Sequence, residues 1–168
     1  HYYYRGEQLP LELNPQYAYL LLDGVPSDAA LQQMLGDVRV TKFSTFRPMT
    51  RFNAVPGGAK EHTRIWAEVK FLTKRSNDDY LKHLEALQAM DKVVYAAPFF
   101  SNYGEEKIGL SEFFMVKLKS PGDVDLLVDY AGQQGATVIG QNKFLPLWYT
   151  LAVTPTAKGN ALDLANRF

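Results

Sequence analysis

Chemistry needs ionisable or nucleophilic side chains that can be brought together, and this chain offers few. Its histidines are His1, His62 and His83. A metal site needs converging ligands, and no H-x-x-E-H or related spacing joins these three. His62 stands beside Glu61 in a polar stretch. His83 falls between Leu81 and Leu84, which puts it on the flank or the solvent side of a helix. Cysteine is absent, which excludes thiol nucleophiles, thiolate zinc sites and disulfides. The adjacent carboxylates Asp78-Asp79 and Glu105-Glu106 point apart in a helix or strand, so they read as solvated. A serine nucleophile on a sharp turn would show as G-x-S-x-G, and none occurs. Gly57-Gly58 and Gly104 lack the strand–loop–helix setting of a phosphate cradle and read as turn residues. The expectation is a chain with no catalytic residue, no cofactor and no metal.

Charge narrows the partners. Lys+Arg and Asp+Glu number 18 each, for a net charge of +0. Nucleic-acid and membrane-surface binders need a basic footprint, which a balanced chain lacks overall. The cationic stretch TKFSTFRPMTR (41–51) reads as a solvated loop. The apolar runs AYLLL and YAAPFF are too short to span a bilayer. The abrupt start at His1 before YYY gives the expectation that an upstream segment was removed.

The elements that would position any site come in two copies. YAYLLLDGVPSDAALQQML (17–35) aligns with EFFMVKLKSPGDVDLLVDY (112–130). Each opens on an apolar strand and turns at a proline, Pro26 or Pro121. Each has an aspartate two residues on, Asp28 or Asp123, and then a helical apolar pattern. That pattern is Ala30, Leu31, Met34 and Leu35 in one copy, and Val124, Leu127, Val128 and Ala131 in the other. RIWAEVKF (64–71) pairs with PLWYTLAV (146–153), which aligns the only two tryptophans, Trp66 and Trp148. Tyr80, Leu81, Leu84 and Leu87 match Ala161, Leu162, Ala165 and Phe168 in spacing.

The first copy reads as strand 17–22, helix 27–35, strands 38–43 and 63–71, helix 78–89 and strand 93–99. Asn77 or Asp78 caps its second helix, and Asp91-Lys92 turns out of it. The second copy reads as strand 113–119, helix 122–132, strands 136–141 and 147–153, and helix 160–168 capped by Asn160. The expected fold is α+β: two tandem ferredoxin-like (βαββαβ) units with antiparallel sheets, the second lacking its last strand, plus an N-terminal β-hairpin. The domains are then 1–16 (hairpin around Arg5-Gly6-Glu7), 17–100 (first unit, with a long loop over 44–62), 101–111 (linker) and 112–168 (truncated second unit). The second sheet should have an unfilled edge, or one covered by something else.

Helices cover only one face of such a sheet, and alternation assigns the other. In the second unit Tyr149, Leu151 and Val153 should face the helices. Phe113, Met115, Lys117, Trp148, Thr150 and Ala152 should face away. In the first unit the outward set is Ala18, Leu20, Leu22, Trp66, Glu68 and Lys70. Both faces are too apolar to stay comfortably in water. They pack on each other, lie under the hairpin, or bind a partner. The interface candidates are Phe113, Met115, Lys117, Trp148, Thr150, Trp66 and Leu20. Two activities found on this fold are disfavoured. The loops DGVPSD and KSPGD lack the arginine of an acylphosphatase, and the tryptophan strands lack the basic surroundings of an RNA-binding sheet.

The second unit resembles the pro-region of secreted subtilisin-like serine proteases, in the fervidolysin-like form. The matching positions are Glu112, Val116, Lys117, Gly135, Val138, Trp148, Tyr149, Leu151, Val153, Asn160, Ala161, Leu162, Ala165, Asn166 and Phe168. The family's patterns are a strand near E-x-x-V-K, which reads E-F-F-M-V-K here with one residue more, then a G-x-x-V turn, a W-Y-x-L-x-V strand and an N-A-L-x-x-A-N-x-F helix. VVYAAP (93–98) is similar to that family's final strand, and YYYRGEQLPLEL (2–13) looks like the start of such precursors in Bacteroidetes. The resemblance covers about a third of the chain, 112–168. It implies a propeptide that serves its protease as intramolecular chaperone and inhibitor. Its open sheet face would pack on the cognate subtilisin-like catalytic domain, in cis. It also implies that the final strand, the inhibitory tail and the catalytic domain lie beyond this sequence, so the chain is read as a fragment. The alternative is a self-standing cell-envelope protein-binding module of the same fold.

Overall fold

Alternating and continuous apolar runs set the strands; Ser27, Ser76 and Asn160 cap three of the helices, and Ser120 caps the 3-10 turn that leads into another. The computed structural model describes residues 2–4, 7–24, 27–36, 38–46, 64–73, 75–102 and 106–168. The fold class is α+β, with antiparallel sheets and, among the described residues, four α-helices. The chain divides into His1–Gly109 and Leu110–Phe168, each with its own apolar core.

In the first unit, β1 (Tyr2–Tyr4) and β2 (Glu7–Leu9) form a short antiparallel hairpin, Tyr4 opposite Glu7. The segment expected to belong to this hairpin ends early. Residues from Glu12 onward already form β3 (Glu12–Asp23), with Glu12 opposite Ser101 and Leu13 opposite Phe100. The register then shifts between Leu13 and Ala18. Pro15, which has no N–H to give to a ladder, sits in that irregular stretch. There Asn14 bridges to Ser101 Oγ at 3.1 Å.

Next come α1 (Asp28–Leu35), β4 (Val38–Phe46), β5 (Arg64–Phe71), α2 (Asn77–Gln88), β6 (Val93–Asn102) and β7 (Glu106–Gly109). The sheet order is β4-β5-β3-β6-β7, with every pairing antiparallel. The cap of α2 differs from expectation. Ser76, not Asn77 or Asp78, opens the helix, with its Oγ accepting from Asp79 N–H at 3.2 Å. A hydroxyl one residue outside the first turn can reach back to the free N–H groups, which residues inside the helix cannot do. Lys92 turns the chain out of α2 with φ 72. The expected long loop over 44–62 starts late, since β4 continues to Phe46. Residues 47–63, including Glu61, His62 and the cationic Arg51, lie outside the described residues.

The expected linker over 101–111 is also revised. β6 runs to Asn102, and β7 adds a fifth strand beside it, Phe99 opposite Gly109 and Ser101 opposite Lys107. Lys107 pairs with Glu68 and lies 4.6 Å from the centre of the Tyr17 ring, which ties this strand to the sheet.

The second unit holds β8 (Phe113–Lys117), a 3-10 turn at Pro121–Asp123, α3 (Val124–Gln134), β9 (Ala136–Gln141), β10 (Trp148–Val153) and α4 (Ala161–Ala165). Its sheet order is β8-β10-β9, again antiparallel. Ser120 with Asp123, and Asn160 with Asp163, each form a reciprocal capping box. The last helix is shorter than the expected 160–168. Its buried residues are Ala161 and Leu164, while Ala165 is exposed. Phe168 lies beyond the helix end, with its ring edge-on to Phe114 at 5.4 Å and to Tyr130 at 4.8 Å.

Candidate functional site

The side facing the helices is decided by what the cores contain. In the second unit Phe114, Val116, Tyr149 and Leu151 are buried with Leu127, Ala131, Ala161 and Leu164. Strand alternation then sends their neighbours to the opposite side. Register joins those neighbours in rows: Lys117 opposite Trp148, Met115 opposite Thr150, and Phe113 opposite Ala152. These are the six outward residues read from the sequence. Met115 is 54% exposed, Lys117 is exposed, and Phe113, Trp148 and Thr150 are half-buried. Ala152 is closed off, at 9%.

This face is mixed: a tryptophan, a phenylalanine and a methionine, with one cation at the end of β8. An array of this kind can contact another surface through apolar burial. It offers no converging acid–base pair. Among the described residues, no three histidine, aspartate or glutamate side chains come together to hold a metal ion. No described helix is long and apolar enough to cross a membrane.

The first unit corrects the sequence reading. Ala18, Leu20 and Leu22 do not point outward. Leu20 is fully buried, packed in one core with Leu31 of α1 and with Tyr80, Leu84 and Leu87 of α2. The pairing shows why. Leu20 faces Ala67 and Leu21 faces Trp66. Cross-strand partners share a face, so Trp66 lies with Leu21 and Tyr19, and not with Leu20. A one-residue slip in the assumed register exchanges the two faces of a strand. Every residue of YAYLLL is apolar, so its pattern could not reveal the slip.

Trp66, Glu68 and Lys70 do lie opposite the helices. However, this side of the sheet is largely withdrawn from water, with Tyr19, Leu21, Tyr95, Ala97 and Phe99 all buried. Tyr19 lies 6.1 Å from Trp66 and 6.3 Å from Tyr95, centre to centre, and Tyr17 lies 5.8 Å from Phe99. Such tilted and edge-on aromatic contacts add to the area they bury. Leu20 therefore leaves the candidate set, and Trp66 belongs to an aromatic cluster.

One exposed feature was missed by the sequence reading. The turn between β9 and β10 presents Phe144 at 91% and Leu145 at 51% exposure. Asn142 holds this turn: its Oδ1 accepts from the N–H groups of Phe144 at 2.9 Å and Leu145 at 3.1 Å. The signal was the N-x-F-L-P stretch, in which an asparagine side chain that bonds its own backbone predicts an ordered turn. His83 is also less open than expected. It is half-buried, with its ring edge-on to Phe71 at 5.1 Å. Burial, and secondarily the charge of Arg75, lower its pKa from the ordinary value.

The chain has no significant match among protein-family models, curated proteins or solved structures.

Proposed function

We propose that this chain is a non-catalytic pro-region of a secreted subtilisin-like serine protease, built from two tandem ferredoxin-like units. It acts as intramolecular chaperone and inhibitor by laying the helix-free face of its second sheet on the catalytic domain. The observation that carries this reading is that face itself: Lys117 paired with Trp148, Met115 with Thr150, and Phe113 next along the strand, with Met115 more than half exposed. The element order supports the two-unit reading. β3-α1-β4-β5-α2-β6 recurs as β8-α3-β9-β10-α4, and each third strand carries its tryptophan on the side away from the helices.

The physics of such a role is simple. Binding the native protease and not its unfolded chain stabilises the native form by mass action. An aromatic anchor on an apolar face supplies much of the affinity. Trp148→Ala is expected to weaken binding to a purified subtilisin-like catalytic domain by roughly tenfold or more, with the fold unchanged. It should also slow that domain's refolding from denaturant in the presence of the chain. Isothermal titration and recovery of protease activity measure the two effects. Equal binding by the variant would remove the open face from the mechanism.

A further inference from the structure

The strand order of the second unit leaves one side of β8 without a neighbouring strand among the described residues. The ladder to β10 shows which backbone groups point there. Leu118 N–H donates to the Leu147 carbonyl at 2.8 Å, and Val153 N–H donates to the Glu112 carbonyl at 2.9 Å. The register between these ends runs without a shift. In an antiparallel ladder, hydrogen-bonded pairs alternate with non-hydrogen-bonded pairs. Residues 112, 114, 116 and 118 thus direct their N–H and C=O groups to β10, and residues 113, 115 and 117 direct theirs outward. Phe113 N–H is taken up by Ser111 Oγ at 3.2 Å. Met115 and Lys117 are the working part of the outward row.

Sheet edges are commonly blunted by proline, by lysine, by bulges or by inward-pointing charges. The FFMVK strand has no proline, and its ladder to β10 has no bulge. Its one lysine, Lys117, stands at the end of the strand on the helix-free face and does not point into the core. The opposite edge, β9, has an irregular register near Gly140. In the first unit the corresponding place is filled. There β6 runs antiparallel to β3, with Ala96 opposite Leu20 on the helix side and Tyr95 opposite Leu21 on the other.

We propose that the outer edge of β8 is a strand-accepting site for an extended, antiparallel peptide segment. The occupant has the pattern of β6: small apolar residues toward the helices, beside buried Phe114 and Val116, and larger apolar residues alternating toward the open face, beside Met115. Main-chain hydrogen bonds supply affinity at such an edge, and alternate side chains supply selectivity. This site needs only the edge geometry and is independent of docking on a protease.

The probe is a synthetic peptide of residues 91–102 (DKVVYAAPFFSN) added to the full chain. Amide hydrogen exchange at Met115 and Lys117 is expected to slow by at least about tenfold with peptide bound. Met115→Pro removes an outward N–H and spares the ladder to β10, as proline does on edge strands. It is expected to abolish peptide binding while the unit stays folded. Met115→Ala should retain binding, and it keeps the test decisive should the proline variant unfold. Unchanged exchange at saturating peptide overturns the proposal, as does equal binding by a folded Met115→Pro. Protection of these amides without peptide, in a chain that light scattering shows to be dimeric, overturns it in favour of a second copy as occupant.

Discussion

Tyr80 shows how one side chain can close a core. It is fully buried, and its hydroxyl donates to the Tyr17 carbonyl at 2.6 Å and accepts from Phe99 N–H at 3.0 Å. It therefore ties α2 to both β3 and β6. Tyr80→Phe keeps the ring and strands both backbone partners in the interior. The expected cost is about 1–3 kcal/mol, read as a lower denaturation midpoint. Burial raises the pKa of this phenol from 10.0 to about 12, and the Phe99 hydrogen bond pulls the other way. An acid whose pKa rises on folding stabilises the fold while it is protonated. Stability should be intact below pH 10.0 and fall between there and about 12, less so in Tyr80→Phe. His83 works in the opposite sense. Its lowered pKa means the neutral ring fits the fold, so its contribution is present above the ordinary value of 6.5 and is lost as pH falls below it. Urea unfolding midpoints near pH 5 and pH 7.5 should differ less in His83→Leu than in the unchanged chain.

At the scale of elements, the turn after α3 is closely packed. Gly135 ends the helix in the left-handed conformation at φ 75. A Cβ there would lie 2.5 Å from the Cα of Ala157. Its carbonyl also accepts from Thr154 N–H at 2.9 Å and from Thr154 Oγ1 at 2.7 Å. The turn thus pins the end of β10 and the approach to α4. Gly135→Ala adds left-handed strain to a backbone clash and is expected to cost roughly 2–5 kcal/mol, measured by chemical denaturation. The helices and most strands were legible at this scale because amphipathic spacing and capping residues are local signals. Asn160 caps α4 as its sequence predicts. The ends were less legible. Phe168 falls in the helical apolar pattern yet sits past the helix, where its ring reaches Tyr130 and Phe114. Pattern shows that a residue is buried, but not whether it gets there on a helix.

For the whole molecule, charge balance constrains how a partner can be held. The net charge is +0, and Lys117 is the one charged residue in the six-residue outward set of the second sheet. Docking through this face should depend mainly on buried apolar area, with little long-range steering. Raising the salt from about 0.05 M to 0.5 M is expected to change the dissociation constant by less than about threefold, a span over which surface charge pairs are strongly screened. A steep salt dependence would assign the contact to a charged surface elsewhere. Trp148→Ala should act through the same apolar burial and carry no salt dependence of its own.

The sequence by itself determined the α+β class, the order of most strands and helices, and the outward residues of the second sheet. The last followed because side chains alternate along a strand, and the polar Lys117 and Thr150 mark which side of Phe113–Lys117 and Trp148–Val153 faces out. It could not determine the faces of β3, where Tyr17–Leu22 is apolar throughout. Only the pairing of Leu21 with Trp66 and of Leu20 with Ala67 decided that Leu20 is core. Nor could it place Glu106–Gly109, whose strand exists because β6 offers it an edge and Glu68 a partner for Lys107. Register and edge pairing join residues far apart in the chain, so they became visible only once the sheets had formed.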